Sequence, residues 1–260
     1  MVQDLLSAQG LRMDGRRHNE LRQIQCKLGV LESELFTHKN RCDGSAYMLH
    51  GNTKVIASIS GPKHPSKSSG KKDESFIFNV RVKFATFSKN GERQKVLKNS
   101  KKLGEIEINL KNIFKSVILV EKYEKSQLDL NIEVLQHDGG SEICTIVNTA
   151  TLALIDAGIC MKEYVCACTA SLTNDGLALL DVSHLEEICG GPTLTIAALP
   201  RIGDHEQSVA FIELSQKFYL KDLNKIFDCC QLGCEKIRTI LDEAIRGNAY
   251  EHVNSDLTSN

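Results

Sequence analysis

Between Leu128 and Leu154 the chain switches from strand periodicity to helix periodicity, and that switch narrows the fold more than any other stretch. Leu128, Leu130, Ile132 and Val134 alternate with polar residues, as a strand half-buried in a sheet requires. Gly139 and Gly140 break the run, and Ile143, Ile146, Val147, Ala150 and Leu154 then recur at helical spacing. A strand that turns through two glycines directly into a helix belongs to a layered α/β structure. The junction also has a chemical reading. A glycine pair at a helix N-terminus presents unpaired backbone N–H groups and the positive end of the helix dipole, a seat for an anion. The competing reading is a tight turn capped by Ser141, with Glu142 in the first helical turn where a carboxylate favours the dipole.

The pattern extends on both sides. Strands are predicted near Ile24–Leu31, Ser45–His50, Thr53–Ser60 and Phe76–Phe87, then a helix from about Gly104 to Leu119 burying Ile106, Leu110, Ile113, Phe114 and Val117. The second group has the strand Leu128–Leu135, a helix Ser141–Ala157, and strands near Val165–Leu172, Ala178–Val182, Thr193–Ala198 and Ser208–Leu214. A long helix from about Lys221 to Arg246 closes it, with Leu223, Ile226, Phe227, Cys230, Cys234, Ile237, Leu241 and Ile245 on one face. Strands followed by packed helices, twice, predict an α/β sandwich (α+β) of two pseudo-repeated halves, about 11–122 and 123–250, within one domain. Residues 1–10 form an N-terminal extension, Glu32 to Arg41 an extended hairpin loop, and the polar residues 251–260 a mobile tail.

Ten cysteines without a regular framework, in a chain of 260 residues, point to a reducing compartment, cytosolic or nuclear. Cys166 and Cys168 alternate along a strand, and Cys229, Cys230 and Cys234 lie in a helical stripe; neither spacing is that of a zinc module. Buried cysteine acting as a small hydrophobe accounts for them, so no metal is expected. No apolar run approaches the roughly 18 residues of a membrane span, so no membrane partner is expected.

Net charge is −1, yet twelve basic and three acidic residues lie between Gly61 and Lys102, an excess of nine. In the strand Phe76–Phe84, phenylalanine and valine point one way while Asn79, Arg81 and Lys83 point the other. Lys63, Lys67, Lys71 and Lys72 fall in a Ser- and Gly-rich loop, and Arg93, Lys95, Lys98, Lys101 and Lys102 follow the strand. Such a run is either a solvated face or the footprint of a phosphate-backbone contact. With no Trp, any RNA contact is expected to follow the backbone rather than stack on bases.

A series of motifs then occurs in order: Leu11-Arg12-Met13-Asp14-Gly15-Arg16-Arg17, Glu20-Leu21-Arg22, Asp43-Gly44-Ser45-Ala46-Tyr47, Gly51-Asn52-Thr53-Lys54 and Phe84-Ala85-Thr86-Phe87-Ser88. Leu135-Gln136 with Asp138-Gly139-Gly140, Asp156-Ala157-Gly158-Ile159 and Leu180-Asp181 complete it. Together they resemble the RNase PH family from about Leu11 to Arg246. Val165-Cys166-Ala167-Cys168 and Ser183-His184-Leu185-Glu186-Glu187 are similar to the eukaryotic form found in the exosome core. The resemblance implies an RNase PH-like fold (ribosomal protein S5 domain 2-like) and single-stranded RNA in a central channel. As partners it implies other RNase PH-like subunits in a hexameric ring, RNA-binding cap subunits and an associated nuclease. It further implies roles in ribosomal RNA maturation and RNA decay, in nucleus, nucleolus and cytoplasm. Lys63, Arg81, Lys83, Arg93, Lys95, Lys98, Lys101 and Lys102 are then the candidate RNA-binding residues.

Active members of that family attack the last phosphodiester of an RNA 3′ end with inorganic phosphate, which needs cations around the nucleophile. Gly139, Gly140 and Ser141 match the family's phosphate seat, but Glu142 stands at the arginine position. Gly104 falls at a second arginine position, with Lys101 and Lys102 nearby. Asp181 matches the first catalytic acid and Glu187 stands at the second. A like-charge pair at about 4 Å costs on the order of 4 kcal/mol at an effective dielectric of 20. Half of that and of the forfeited attraction weakens phosphate binding roughly a thousandfold. The expectation is a non-catalytic RNA-channel subunit with Asp181 as a vestigial acid and no cofactor. The alternatives are an active phosphate-dependent 3′-to-5′ exoribonuclease, with inorganic phosphate as co-substrate, and a small-molecule α/β enzyme.

Overall fold

The structure, a computed structural model, describes residues 6–7, 9–31, 42–65, 76–89, 100–173, 176–189, 191–199, 208–217 and 219–258, the segment 252–258 as backbone only. The predicted loop Glu32 to Arg41, the loop lysines Lys67, Lys71 and Lys72, and the candidate RNA contacts Arg93, Lys95 and Lys98 lie outside the described residues. A first sheet contains β1 (Ile24–Leu28), β2 (Gly44–His50), β3 (Thr53–Lys63), β4 (Ile77–Phe84) and β5 (Gln127–Gln136), in the order β1-β2-β3-β5-β4. Neighbours are antiparallel except β4 and β5, which run parallel and are joined through α1 (Lys101–Val117), as a parallel pair requires. A second sheet contains β6 (Cys166–Leu172), β7 (Ala178–Leu180), β8 (Thr193–Leu199) and β9 (Ser208–Ser215), all antiparallel in the order β7-β6-β8-β9.

Helix α2 (Glu142–Asp156) lies between the two sheets, packing on β2 and β3 on one side and on β6 on the other. That position explains its composition: twelve of its fifteen residues are buried, so Thr145, Thr149 and Thr151 return their hydroxyls to carbonyls one turn back. Asn148 is buried too, and its amide exchanges two hydrogen bonds with the backbone of Ala167, stitching the helix to β6. Beside it α1 buries Ile106, Leu110, Ile113, Phe114 and Val117, the stripe read from the sequence, and adds Leu103 in a first turn that begins at Lys101. Fully burying a side chain such as Phe114 is worth about 1.5–3 kcal/mol. Glu107 on α1 also accepts the N–H of Val82 at 2.9 Å, protecting the outer edge of β4. A short helix, α3 (His184–Ile188), opens with a capping box between Ser183 and Glu186. Finally α4 (Leu223–Thr258) covers the second sheet with Ile226, Cys230, Cys234, Ile237 and Leu241, all fully buried.

Two features differ from the sequence reading. The strand assigned to the second half, β5, sits inside the first sheet between β3 and β4, so the sheets do not divide near residue 122. Period-two alternation identifies a strand but carries no information about its partner. At the other end, where a mobile tail is expected from residue 251, α4 continues as helix to Thr258. No helix among the described residues is long and apolar enough to cross a membrane.

Candidate functional site

The strand β5 delivers His137, Asp138, Gly139 and Gly140 to the N-terminus of α2. Both glycines adopt positive φ, +74° and +67°, which L side chains rarely adopt. Close packing adds to the requirement, because a Cβ on Gly140 would lie 2.2 Å from the carbonyl oxygen of Val182. The turn therefore rests on the segment after β7, and that segment determines what the site contains.

The turn faces the protein's own carboxylates. Gly140 donates its N–H to Glu187 Oε2 at 2.8 Å. Glu142 is 7% exposed in the first turn of α2, with Oε2 lying 3.7 Å from Lys102 Nζ and 3.4 Å from His137 Nδ1. His137 Nδ1 already accepts the Gly139 N–H at 3.2 Å, so the neutral ring carries its proton on Nε2 and gives Glu142 no hydrogen bond. Burial holds the His137 imidazole below its ordinary value against the pull of Glu142, and Lys102 and Lys89 reinforce burial. Among the described residues no donor reaches Glu142 Oε1. A cavity of about 460 Å³ opens at this point, lined by the two glycines, Glu142, Ile143, Lys89, Lys102, His137, His184 and Glu187, with Thr193, Thr195, Glu213 and Ser215 on its far wall.

Ser141 does not cap α2 through its side chain. Its Oγ instead accepts a hydrogen bond from Arg22 Nη2, a guanidinium group from a segment far away in sequence. The same arginine explains Asp181. That carboxylate is fully buried and does not line the cavity. It accepts the Arg22 N–H at 2.7 Å, Arg22 Nε at 3.0 Å and Arg22 Nη2 at 2.8 Å, and meets His50 Nε2 at 3.0 Å. Arg16 Nη1 stands 3.5 Å away. Burial alone would raise its pKa, but His50 and Arg22 hold the carboxyl well below the usual carboxylate range. Its backbone has φ +54°, and its carbonyl accepts hydrogen bonds from Arg12 and Arg16. Arg12 completes the set in a buried pair with Glu186, Nε to Oε1 at 2.6 Å. Asp181 thus anchors the turn through Arg22 and Ser141.

The arginines Arg12, Arg16 and Arg22 carry this arrangement, yet the sequence reading gave them no role beyond a motif. Four arginines within eleven positions are a visible signal, but the buried carboxylates that Arg12, Arg16 and Arg22 meet are 159 to 174 residues away. Of the two lysines considered as substitutes for the missing arginines, Lys102 lines the cavity and faces Glu142, whereas Lys101 is exposed and does not line it. Gly104 lies inside α1, and a Cβ there would meet nothing within 4 Å.

The expectation of one cationic sheet face requires correction. In the parallel register β5 sets Asp129 beside Asn79, Asn131 beside Arg81 and Glu133 beside Lys83. Lys83 lies 3.8 Å from Glu133, Lys63 pairs with Asp129, and Asn79 donates to Asp129 at 2.8 Å. The face is a ladder of mixed charge on which Arg81 is exposed and has no ion pair among the described residues.

Among the described residues no disulfide forms, and Cys144, Cys166, Cys168, Cys230 and Cys234 are buried. Burial pushes the Cys144 and Cys166 thiols up to about 12. Among the described residues no group of three His, Cys, Asp or Glu is arranged to hold a metal ion.

Comparison with known proteins supports this frame. The model of the 3′ exoribonuclease family, domain 1, matches residues 20–160. The human exosome complex component RRP41 is 38% identical over 250 residues, which cover 95% of this chain and 96% of that protein. Exosome complex component ski6 of Schizosaccharomyces pombe is 35% identical over 247 residues, covering 95% of each chain. Among solved structures, rice Rrp46 superposes with a TM-score of 0.73 at 22% identity, over 90% of this chain and 100% of the other. An Archaeoglobus fulgidus exosome with RNA bound to the active site gives a TM-score of 0.67 at 17% identity, over 89% of this chain and 92% of that one. With a family model spanning more than half its length and relatives above 30% identity over nearly all of it, the chain belongs to the RNase PH family of 3′ exoribonucleases.

Proposed function

We propose that this chain is a non-catalytic subunit of an exosome core ring, one that helps guide single-stranded RNA toward a nuclease carried elsewhere in the complex. The observation that carries the reading is the self-occupied anion seat. Glu187 takes the Gly140 N–H and Glu142 stands at the helix N-terminus facing Lys102, so the groups that would receive orthophosphate face carboxylates instead. Relatives named as exosome components over nearly the whole chain support the assembly. The proposed partners are RNase PH-like subunits in a hexameric ring, RNA-binding cap subunits and the nuclease. The proposed processes are ribosomal RNA maturation and RNA decay in nucleus, nucleolus and cytoplasm. Arg81 is the exposed cation best placed on the described surface to meet an RNA backbone, and Lys101 follows at the start of α1.

The test incubates the chain, alone and with its ring partners, with a single-stranded RNA and inorganic phosphate, and measures nucleoside diphosphate release. The expected result is none above background. Phosphate-dependent release would establish the exoribonuclease alternative. A parallel titration with inorganic phosphate is expected to show no binding by the native chain and a gain of binding by Glu142→Arg.

A further inference from the structure

On the flank of α1, between its buried stripe and open solvent, Glu107, Ile108 and Lys111 come together with Asn79, Val80 and Arg81 of β4. The two elements enclose a groove of about 400 Å³ that shares no lining residue with the cavity at the glycine turn. The groove is open because β4 is the last strand of its sheet, and no strand among the described residues pairs with its outer side.

Charge decides what such a groove can hold. On the sheet, Lys63 pairs with Asp129 and Lys83 stands 3.8 Å from Glu133, but the rung between them sets Arg81 beside Asn131, which is uncharged. Arg81 and Lys111 are both exposed, and neither has an ion pair among the described residues. The one carboxylate in the lining is already engaged, because Glu107 Oε1 accepts the N–H of Val82 at 2.9 Å. Two free cations from separate elements against that carboxylate leave the lining at +1, so an anion is attracted. Ile108, 60% exposed and one helical turn from Lys111, sets apolar surface beside the charges. Direction matters as well. Arg81 precedes Phe84 by three residues, and the Phe84 ring meets His137 edge-on at 5.8 Å. At roughly 3.3 Å per residue the groove therefore lies about 10 Å along β4 from the glycine-turn cavity. Separated cations beside apolar surface, on a strand leading to a second cleft, suit a polymer with repeating negative charge.

We propose that this groove holds the phosphodiester backbone of single-stranded RNA, with Arg81 and Lys111 contacting phosphates and Ile108 lying against ribose. The inference rests on the reading of the chain as an RNA-guiding subunit, and it assigns that role to a surface apart from the glycine turn. Backbone contacts of this kind are independent of sequence and weaken steeply with salt.

The test is fluorescence anisotropy of a labelled oligouridine with the chain assembled with its ring partners, over a series of salt concentrations. Arg81→Gln and Lys111→Gln are each expected to weaken binding severalfold and to reduce the slope of log K against log salt by about 0.7, the double variant by about 1.4. Lys115→Gln, an exposed lysine on the same helix and outside the groove, is expected to leave both quantities unchanged. Glu107→Gln keeps an acceptor for the Val82 N–H and removes a negative charge, so it is expected to tighten binding severalfold. Thermal unfolding and gel filtration check that each variant is folded and assembled. Equal losses in Lys115→Gln, an unchanged slope in the double variant, or weaker binding by Glu107→Gln overturns the proposal. Failure of Lys111→Gln to assemble overturns it too, by assigning the groove to a protein contact. RNA bound with an unchanged slope in the double variant defeats only the groove, whereas no RNA binding by the native assembly also defeats the reading of the chain as an RNA guide.

Discussion

Replacing Asp181 by asparagine removes one negative charge from beneath three basic side chains while leaving the shape of the residue in place. In the native protein the carboxylate is fully buried and receives three hydrogen bonds from Arg22 and one contact from His50. An asparagine there offers one acceptor oxygen and turns an NH₂ group toward donors, leaving Arg22 without a counter-charge. Breaking a buried pair on one side costs about 3–5 kcal/mol. For a domain of this size each kcal/mol lowers the unfolding midpoint by roughly 2–4 °C, so Asp181→Asn is expected to lose roughly 6–20 °C. Circular dichroism during heating at pH 7 measures it. The folded carboxyl is depressed, so its stabilisation is complete above the unfolded value, about 3.9, and is lost as pH falls through the folded value. The native and variant proteins should therefore differ by a constant amount near neutrality and converge in strong acid. A midpoint unchanged at pH 7, or a gap that persists in strong acid, refutes the assignment of Asp181 as the anchor of the turn.

Three further outcomes follow from the same geometry. Gly140→Ala forces a side chain onto φ +67° with its Cβ 2.2 Å from the Val182 carbonyl, and should cost about 1–3 kcal/mol in urea unfolding; an unchanged midpoint would show that the turn relaxes freely. The His137 imidazole, held down mainly by burial, should titrate below its ordinary value by NMR, and Glu142→Gln should lower it further because Glu142 is the opposing pull; an upward move would contradict the contact. With thiols buried and raised, to about 12 for Cys144 and Cys166, those two residues and Cys168, Cys230 and Cys234 should stay silent to a disulfide reagent at pH 8 until the protein unfolds, as mass spectrometry of labelled peptides can show.

The sequence made the local elements legible where periodicity is long and continuous. The stripe on α1 and the alternation of β5 each appear where the pattern places them, because burial on one face repeats at the period of the backbone. Helix α3 was invisible: five residues are too few for a period, although its capping box is written in Ser183 and Glu186. The place of β5 in the first sheet was equally hidden. Strand order, and with it the neutralisation of Lys63 and Lys83 by Asp129 and Glu133, depends on pairing between distant segments. At the site, the glycine turn was readable from residue type, and the displaced charge at Glu142 only from the resemblance to the family. The burial of Asp181 under Arg22 was not, since a motif position records which residue is present and not which way it points.

Arg12, Arg16 and Arg22 leave the ribosome long before the carboxylates of Asp181 and Glu186, which follow 159 to 174 positions later. At roughly 5–20 residues per second the interval is about 8–35 s, during which these guanidinium groups lack their buried counter-charges. The opening of the chain is thus among the last parts to settle. A translational stall ahead of codon 181 would release a product whose first sheet has every strand but whose leading arginines lack both of their buried carboxylates, Asp181 and Glu186.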